Sequence, residues 1–585
     1  MPNIYFSYII TSIFALLLQT QFPSLLNNFK SLLKKIFPLI LFFFSLQSFG
    51  QNLYLKISGT TETETKYIDS IGYLKKHLNA KSTTDEANSF SEKLKRLGFL
   101  ENQITDNKKE NDSTFHTQIS LGNKTKLMHI YIGRNSELQK LEILKEKDTL
   151  KMPLSQTEAF MNTTLQKLEQ KGYSLAKLQL INLRREKDFL TADLLFENEK
   201  LREVNDIVIN GYDKFPEGHK KEIKRRYRNK IFNQETLKRI NRDFEKLPFV
   251  SQTKYPEILF TKDTTKVYVY LEKSKPNRFD GFIGFGNNEA GDLKINGYLD
   301  LLLVNTLNVG ERFNLYWKSD GNKQTTFNAS LELPYIFKSP LGIKGQLNIF
   351  KQDSTFQNTQ TAIELGYYFN FNTKAYIGYQ STESSDIQNL SQSSITDFDN
   401  SFYTGNFEFV EFKNDDYFFP EKTIINIKGG TGKRNSESSV NNQFFIKADL
   451  RHNLYLNEKN IINIKSQSYY LQSENYITNE LYRFGGINSI RGFNENSLQA
   501  NLFSSILTEY RYVLAPTIYA HSIIDFGYFQ DKTTDNKGQI LGLGFGFGLL
   551  TKNGLFNLIY ANGSTGSQEI KLSNSIVHIS FNAKF

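Results

Sequence analysis

The sequence predicts α+β modules followed by a membrane-spanning antiparallel β-barrel of about sixteen strands. Three observations carry that expectation. From about residue 278 helical periodicity gives way to stretches of roughly ten to fourteen residues that alternate apolar and polar. The last of these is the cleanest, with Val577, Ile579, Phe581, Ala583 and Phe585 alternating with His578, Ser580, Asn582 and Lys584. The composition combines 49 Phe and 31 Tyr with one Trp, four Met and a negative mean hydropathy. That balance suits a wall with one face to lipid and the other to water.

Composition also excludes. A chain of 585 residues holds more than one domain. Cysteine is absent, which removes disulfides, thiolate nucleophiles, cysteine zinc sites and a lipidated N-terminal cysteine. The net charge of +10 comes with no zinc finger, P-loop or RNA-binding aromatic signature, so no nucleic acid is expected as partner. With seven His and no Gly-x-Ser-x-Gly elbow the chain does not read as an enzyme, and no cofactor or metal site is expected. His521, near Asp525, reads as structural.

Residues 1–50 read as an N-terminal extension and a signal peptide. Lys34 and Lys35 precede an apolar core from Ile36 to Phe44, and Ser48-Phe49-Gly50 offers small residues for cleavage after Gly50. The apolar core is short for a permanent spanning helix. The uncharged stretch before it is either an over-extended start or an additional membrane segment.

Residues 51–133, 134–200 and 201–275 each read as a small α+β module. In the last, a strand at Val204–Gly211 is followed by helices at about Glu217–Asn229 and Gln234–Lys246, the second capped by Asn233. Strands at Glu257–Phe260 and Lys266–Leu271 close it. The first module repeats that order, with a strand at Leu53–Ser58 and helices at Lys66–Leu78 and Asp85–Leu97. Thr83 and Glu86 form the capping pattern of its second helix, and strands at Thr114–Leu121 and Lys126–Ile132 close it. The middle module is the weakest: a helix at Gln156–Gln170 behind Ser155 and Glu158, then strands at Ser174–Leu183 and Phe189–Phe196. The basic run Lys220–Arg228 is either a face for lipid phosphate or, more commonly for such runs, a solvated face.

The barrel is expected over residues 276–585, interrupted by a long loop at 475–500. That loop carries Gly485, Gly486, Ile490, Arg491, Gly492 and Phe493, a permanently charged fork of donors on a glycine-rich backbone. Such a loop fits a polar lumen better than open water. Parity then places the wall. In Ile540–Leu550 the bulky odd positions face lipid, so Gly542, Gly544, Gly546 and Gly548 line the lumen. They offer either a trough for the loop or points where the strand bends. On the preceding strand Asp525 and Gly527 point inward, and one strand earlier Glu509 and Arg511 do too. A forked pair between Arg491 and Asp525 would satisfy both charges; solvated lumenal charges are the alternative.

The modules ahead of this barrel resemble POTRA domains. With the Gly485-Gly486 and Ile490-Arg491-Gly492-Phe493 motifs and the terminal Phe585, the mature chain resembles the BamA/TamA-type outer-membrane assembly factors, the bacterial surface antigen family. Three modules at this length look nearest to TamA. The resemblance implies that the motif lies in the sixth extracellular loop, between strands eleven and twelve, folded into the lumen against an aspartate of strand thirteen. Ile523-Ile524-Asp525-Phe526-Gly527 fits that strand except for Ile523, which weakens the expected wall contact. It implies Phe585 as the signal read by the barrel-assembly machinery. The location it implies is a Gram-negative outer membrane, with the modules in the periplasm and no ATP at hand. It further implies insertion or export of client polypeptides through a seam between the first strand (about Asp280–Asn287) and the last (Ser573–Phe585). Partners would be clients, outer-membrane lipids and a periplasmic or inner-membrane protein. The alternatives are a two-partner secretion transporter for one exoprotein, or a passive porin-type channel.

Overall fold

The computed structural model describes residues 52–584 apart from 134–136, 146–147, 187, 198–199, 288–292, 321–323, 354, 388–394, 414–415, 417, 438, 553 and 566–574. The expected N-terminal extension and signal peptide, and Phe585, lie outside the described residues. The described residues form two compact units, one up to residue 167 together with 176–197, and one of 168–175 together with the residues from 200 onward.

The first unit is built from β1 (Leu53–Gly59), α1 (Glu62–Ile71), β2 (Lys76–His77), α2 (Ala80–Arg96), β3 (Gln103–Lys109) and β4 (Thr114–Ser120). It continues with β5 (Leu127–Tyr131), a single turn α3 (Glu137–Lys140), β6 (Thr149–Pro153), α4 (Thr157–Gln170), β7 (Lys177–Glu186) and β8 (Phe189–Glu197). Two sheets result, in the orders β2-β1-β4-β3 and β6-β5-β8-β7.

Several boundaries differ from expectation, each for a local reason. α1 stops at Ile71 because Gly72 turns to φ +71°, so the expected reach to Leu78 is cut short and Lys76–His77 pairs with β1 instead. α2 begins at Asn79, whose Oδ1 accepts from Ser82 N at 2.9 Å. Thr83 is therefore inside the helix, its hydroxyl donating to Ala80 O at 2.7 Å, and Glu86 accepts from Leu74 N at 3.0 Å. A 3-10 turn without a side-chain cap bond occupies Leu154–Gln156, where Ser155 was expected to cap. The strand at Leu127–Tyr131 belongs to the second sheet, between β6 and β8, while the polar β3 completes the first. That transfer explains why the middle module looked incomplete.

In the second unit β9 (Val204–Asn210), α5 (Glu217–Tyr227), α6 (Gln234–Glu245), β10 (Val250–Phe260) and β11 (Thr265–Lys273) make a sheet in the order β10-β11-β9 under two helices. Asn233 Oδ1 accepts from Thr236 N at 2.7 Å, and Leu237, Ile240 and Phe244 turn into the core with Val267 and Val269. Leu302 and Val304 of the barrel belong to that same core. Four basic side chains of α5 are paired with nearby acids: Lys220 with Glu217 (3.1 Å), Lys224 with Asp206 (2.8 Å), Arg225 with Glu222 (2.9 Å) and Arg226 with Asp243 (2.9 Å).

Sixteen strands then close into a barrel. They are β12 (Arg278–Asn287), β13 (Leu293–Val304), β14 (Arg312–Asp320), β15 (Thr325–Leu333), β16 (Leu341–Gln352), β17 (Phe356–Tyr368), β18 (Thr373–Asp386) and β19 (Phe398–Phe412). The wall continues with β20 (Glu421–Ser436), β21 (Ser439–Tyr455) and β22 (Asn460–Gln472). A long loop holding two short strands, β23 (Tyr482–Phe484) and β24 (Leu498–Ala500), precedes β25 (Leu502–Ala515), β26 (Ile518–Asp531), β27 (Asn536–Thr551), β28 (Gly554–Ser564) and β29 (Ile576–Lys584). The predicted parity holds along β27, where Leu543, Phe545, Phe547 and Leu549 are exposed on the outer face and Ile540, Gly542, Gly546 and Gly548 are buried. On β26 Ile524, Phe526 and Tyr528 are exposed, while Ile523, Asp525 and Gly527 are buried. An outer face of large apolar side chains on a sheet closed into a barrel is the form a sheet must take to stand in lipid.

Candidate functional site: the lumenal loop and its cage

The loop lies between the eleventh and twelfth strands of the wall, β22 and β25, and β23 pairs with β24 at its base. Gly485, Gly486 and Gly492 take φ values of +105°, +95° and +87°, which only glycine adopts without strain. Ser489 N donates to Gly486 O at 3.0 Å and Gly486 N to Ile490 O at 3.1 Å, closing a tight turn that presents Arg491.

Arg491 is 5% exposed and Asp525 0%. The Arg491 backbone N–H and Nε both donate to Asp525 Oδ2, at 3.0 and 2.8 Å, and Nη2 donates to Oδ1 at 2.5 Å. Nη1 donates to Glu509 Oε1. The other oxygen of Glu509 accepts from Arg511 Nε at 2.6 Å, and His521 Nδ1 stands 4.0 Å from it. Arg511 in turn donates to Asn453 Oδ1 at 3.0 Å and lies over the Phe419 ring at 4.0 Å. Two cations and two carboxylates thus alternate in one buried cage. Buried charges survive only with this kind of pairing. No group of three or more His, Asp or Glu among the described residues is placed to hold a metal.

Of the four glycines expected to form a trough, one receives the loop. A Cβ at Gly542 would lie 2.4 Å from Arg491 O. At Gly544 it would meet Tyr560 O of the next strand at 2.2 Å, at Gly546 the His521 ring at 2.4 Å, and at Gly548 the Tyr519 ring at 2.1 Å. Those three glycines make room for the wall itself and for its inward side chains. The second half of the trough is Gly563 on β28, which sequence parity missed. A Cβ there would lie 2.6 Å from both Gly492 O and the Phe493 ring. Gly527 serves Ile490, whose Cδ1 would be 2.6 Å from an added Cβ. Ile490 is buried with Phe484, Phe503, Leu507, Phe529 and Ile540. Ile523, the departure from the expected pattern, is also buried and packs with Ile559, Ala561 and the loop's Ile487. The wall contact expected to weaken is made by another residue of the loop.

Two further features escaped the sequence. Glu480 and Arg434, both nearly inaccessible, pair at 2.5 Å, and Gln443 Nε2 donates to the same carboxylate at 2.8 Å. Its neighbour Asn479 donates to Ser384 Oγ at 2.7 Å and Thr396 O at 2.9 Å. The loop is therefore pinned before its glycine turn as well as after it. The second feature is the junction of first and last strands. β12 and β29 share two residue pairs among the described residues, Arg278 with Lys584 and Phe279 with Ala583. Beyond them Phe581 N donates at 3.2 Å to the side chain of Asp280, which also accepts from Tyr298 OH at 2.7 Å. A carboxylate takes the place of a backbone acceptor where the ladder stops.

No family model matches the chain, and no curated protein does. Among solved structures it is similar to CdiB from Acinetobacter baumannii at 13% identity, over 78% of this chain and 90% of that one, with a TM-score of 0.50. It is also similar to CdiB from Escherichia coli (13% identity, 86% and 97% coverage, TM-score 0.48). BamA from Haemophilus ducreyi lacking POTRA domains 1-3 matches at 14% identity over 78% of this chain and 99% of that one, with a TM-score of 0.46. At these identities the likeness is one of fold.

Proposed function

We propose that this chain is an outer-membrane protein that inserts or exports client polypeptides, its barrel offering a seam and a lumenal loop and its modules receiving clients in the periplasm of a Gram-negative bacterium. The observation that carries the reading is the combination of a loop caged inside the barrel and a wall joined, among the described residues, by two residue pairs at its first and last strands. A passive porin needs the wall but neither the short junction nor the modules ahead of it. No nucleotide site is evident in the sequence, so client folding and burial in lipid supply the free energy.

A second reading, export of one cognate exoprotein, draws support from the fold likeness to CdiB from Acinetobacter baumannii. Depletion of the protein, followed by a census of the outer-membrane and secreted proteomes, separates the two. Broad loss of barrel proteins is the expected result. Loss of one secreted protein alone would establish the second reading, and altered solute uptake with both proteomes intact would overturn both.

A further inference from the structure

Arg491 and Gly492 hold the loop to β25, β26 and β28, all on the last-strand side of the junction. Four residues after Arg491, the chain has crossed the lumen. Glu495 accepts from Tyr316 OH at 2.8 Å and pairs with Lys318 Nζ, both on β14, the third strand on the first-strand side. Asn496 Nδ2 reaches Thr326 Oγ1 on β15 at 3.4 Å, on that same side. Between these two attachments the wall contains β29, β12 and β13, with the β12–β29 junction of two residue pairs among the described residues. One loop therefore spans the shortest ladder among the described residues of the barrel wall.

The glycine pair at the loop's turn is shaped for this crossing. A Cβ at Gly486 would lie 2.9 Å from Glu495 Cα, and one at Gly485 would lie 2.7 Å from Asn494 O. Their bare backbones let the returning segment pass close enough to aim Glu495 at β14. The two attachments also differ in kind. Asp525 is wholly buried beneath Arg491, whereas the Glu495 and Lys318 side chains keep 18% and 35% of their surface accessible. A charge buried with its partner is costly to separate, while a partly solvated pair exchanges its partner for water at little cost.

We propose that the lumenal loop is a strap across the barrel junction, permanently held by Arg491 and latched reversibly by Glu495 to Lys318 and Tyr316, so that release of the latch lets the first-strand side part from the last-strand side. This rests on the functional reading only for what passes through the opening; the latch itself is a property of the barrel.

The chain has no cysteine, so a Phe279→Cys/Ala583→Cys pair reports the junction alone. In that background Glu495→Gln should lower the yield of oxidised pair roughly threefold, the population shift that a partly exposed ion pair commands. Exchanging the charges, Glu495→Lys with Lys318→Glu, should restore it. Lys318→Met with Tyr316→Phe removes the latch from the wall side, and decides the matter should Glu495→Gln fail to give a heat-modifiable folded barrel. Unchanged crosslinking in folded barrels lacking the latch would overturn the proposal. A loosened junction with undiminished client assembly would keep the latch and sink the functional reading instead.

Discussion

At the scale of single residues the cage around Arg491 sets the strongest expectation. Asp525 accepts three of its donors and has no water to fall back on. Arg491→Ala strands that carboxylate, and removal of one partner from a buried pair costs about 3–5 kcal/mol. The midpoint of heat-modifiable gel mobility should fall accordingly, with the protein still reaching the outer membrane but losing assembly function. Arg491→Lys should recover part of the loss, since one ammonium cannot reproduce a fork shared between Asp525 and Glu509. Gly542→Ala should mimic Arg491→Ala without touching a charge, because its Cβ would lie 2.4 Å from the Arg491 carbonyl. A Gly542→Ala barrel as stable as the parent would show that the loop does not bear on that strand. Period-two alternation made these partners legible: Asp525, Glu509 and Arg511 sit at inward positions of strands whose outward residues are bulky. Glu480, Arg434, Asp280 and Gly563 were not legible. Parity tells which way a side chain points but not which distant strand or loop it meets, and lumenal contacts across a cylinder have no sequence spacing.

Among the elements, α5 is fixed to the barrel by a histidine. His219 is buried against Tyr335 (4.7 Å between ring centroids), Phe249 (5.2 Å) and Phe371 (5.8 Å, stacked at 11°). Its ring fills the place where a side chain at Gly310 would stand. Burial, with Lys374 nearby, lowers its pKa to about 3, against a weaker opposing pull from Glu332. Glu222 and Arg226 on α5 are paired with each other and with Arg225 and Asp243, so they leave the ring no acidic partner. The folded pKa lies below the unfolded value, so the docked state holds its full stability above about pH 6.5 and loses it as pH falls toward 3. The protection of α5 amides, measured relative to their intrinsic exchange rate at each pH, should therefore fall progressively in mild acid, and His219→Phe should remove most of that dependence. Equal acid sensitivity in both proteins would place the titrating group elsewhere. The sequence showed α5 as a basic helix and gave no sign of this joint, because an aromatic cluster assembled from two barrel turns, the residue before β10 and one helix has no periodic signature. Helix existence was readable from apolar spacing. Helix ends depended on single caps, Asn79 and Gly72, that compete with equally plausible neighbours.

For the whole molecule the decisive comparison lies within the wall. β19 and β20 are paired from Phe398 with Ser436 to Phe412 with Glu421, and β16 with β17 from Leu341 with Tyr367 to Gln352 with Phe356. The described part of the β12–β29 junction holds two pairs and a side-chain substitute at Asp280. Each backbone group left without a partner in lipid is expensive, so a short junction is tolerable only if something else completes it or if water reaches it. An incoming strand can complete it. Under the proposed function, a client edge pairing with β12 or β29 would gain the hydrogen bonds that the wall withholds from itself, an affinity for unfinished strands that needs no chemical fuel. Covalent closure should therefore be harmful to the activity and harmless to the fold. Oxidising a Phe279→Cys/Ala583→Cys pair should abolish client assembly in a strain that depends on the protein, leave heat-modifiable mobility intact, and be reversed by reductant. Sustained assembly through a fully oxidised junction would mean that clients take another route, with the lumen itself the remaining path.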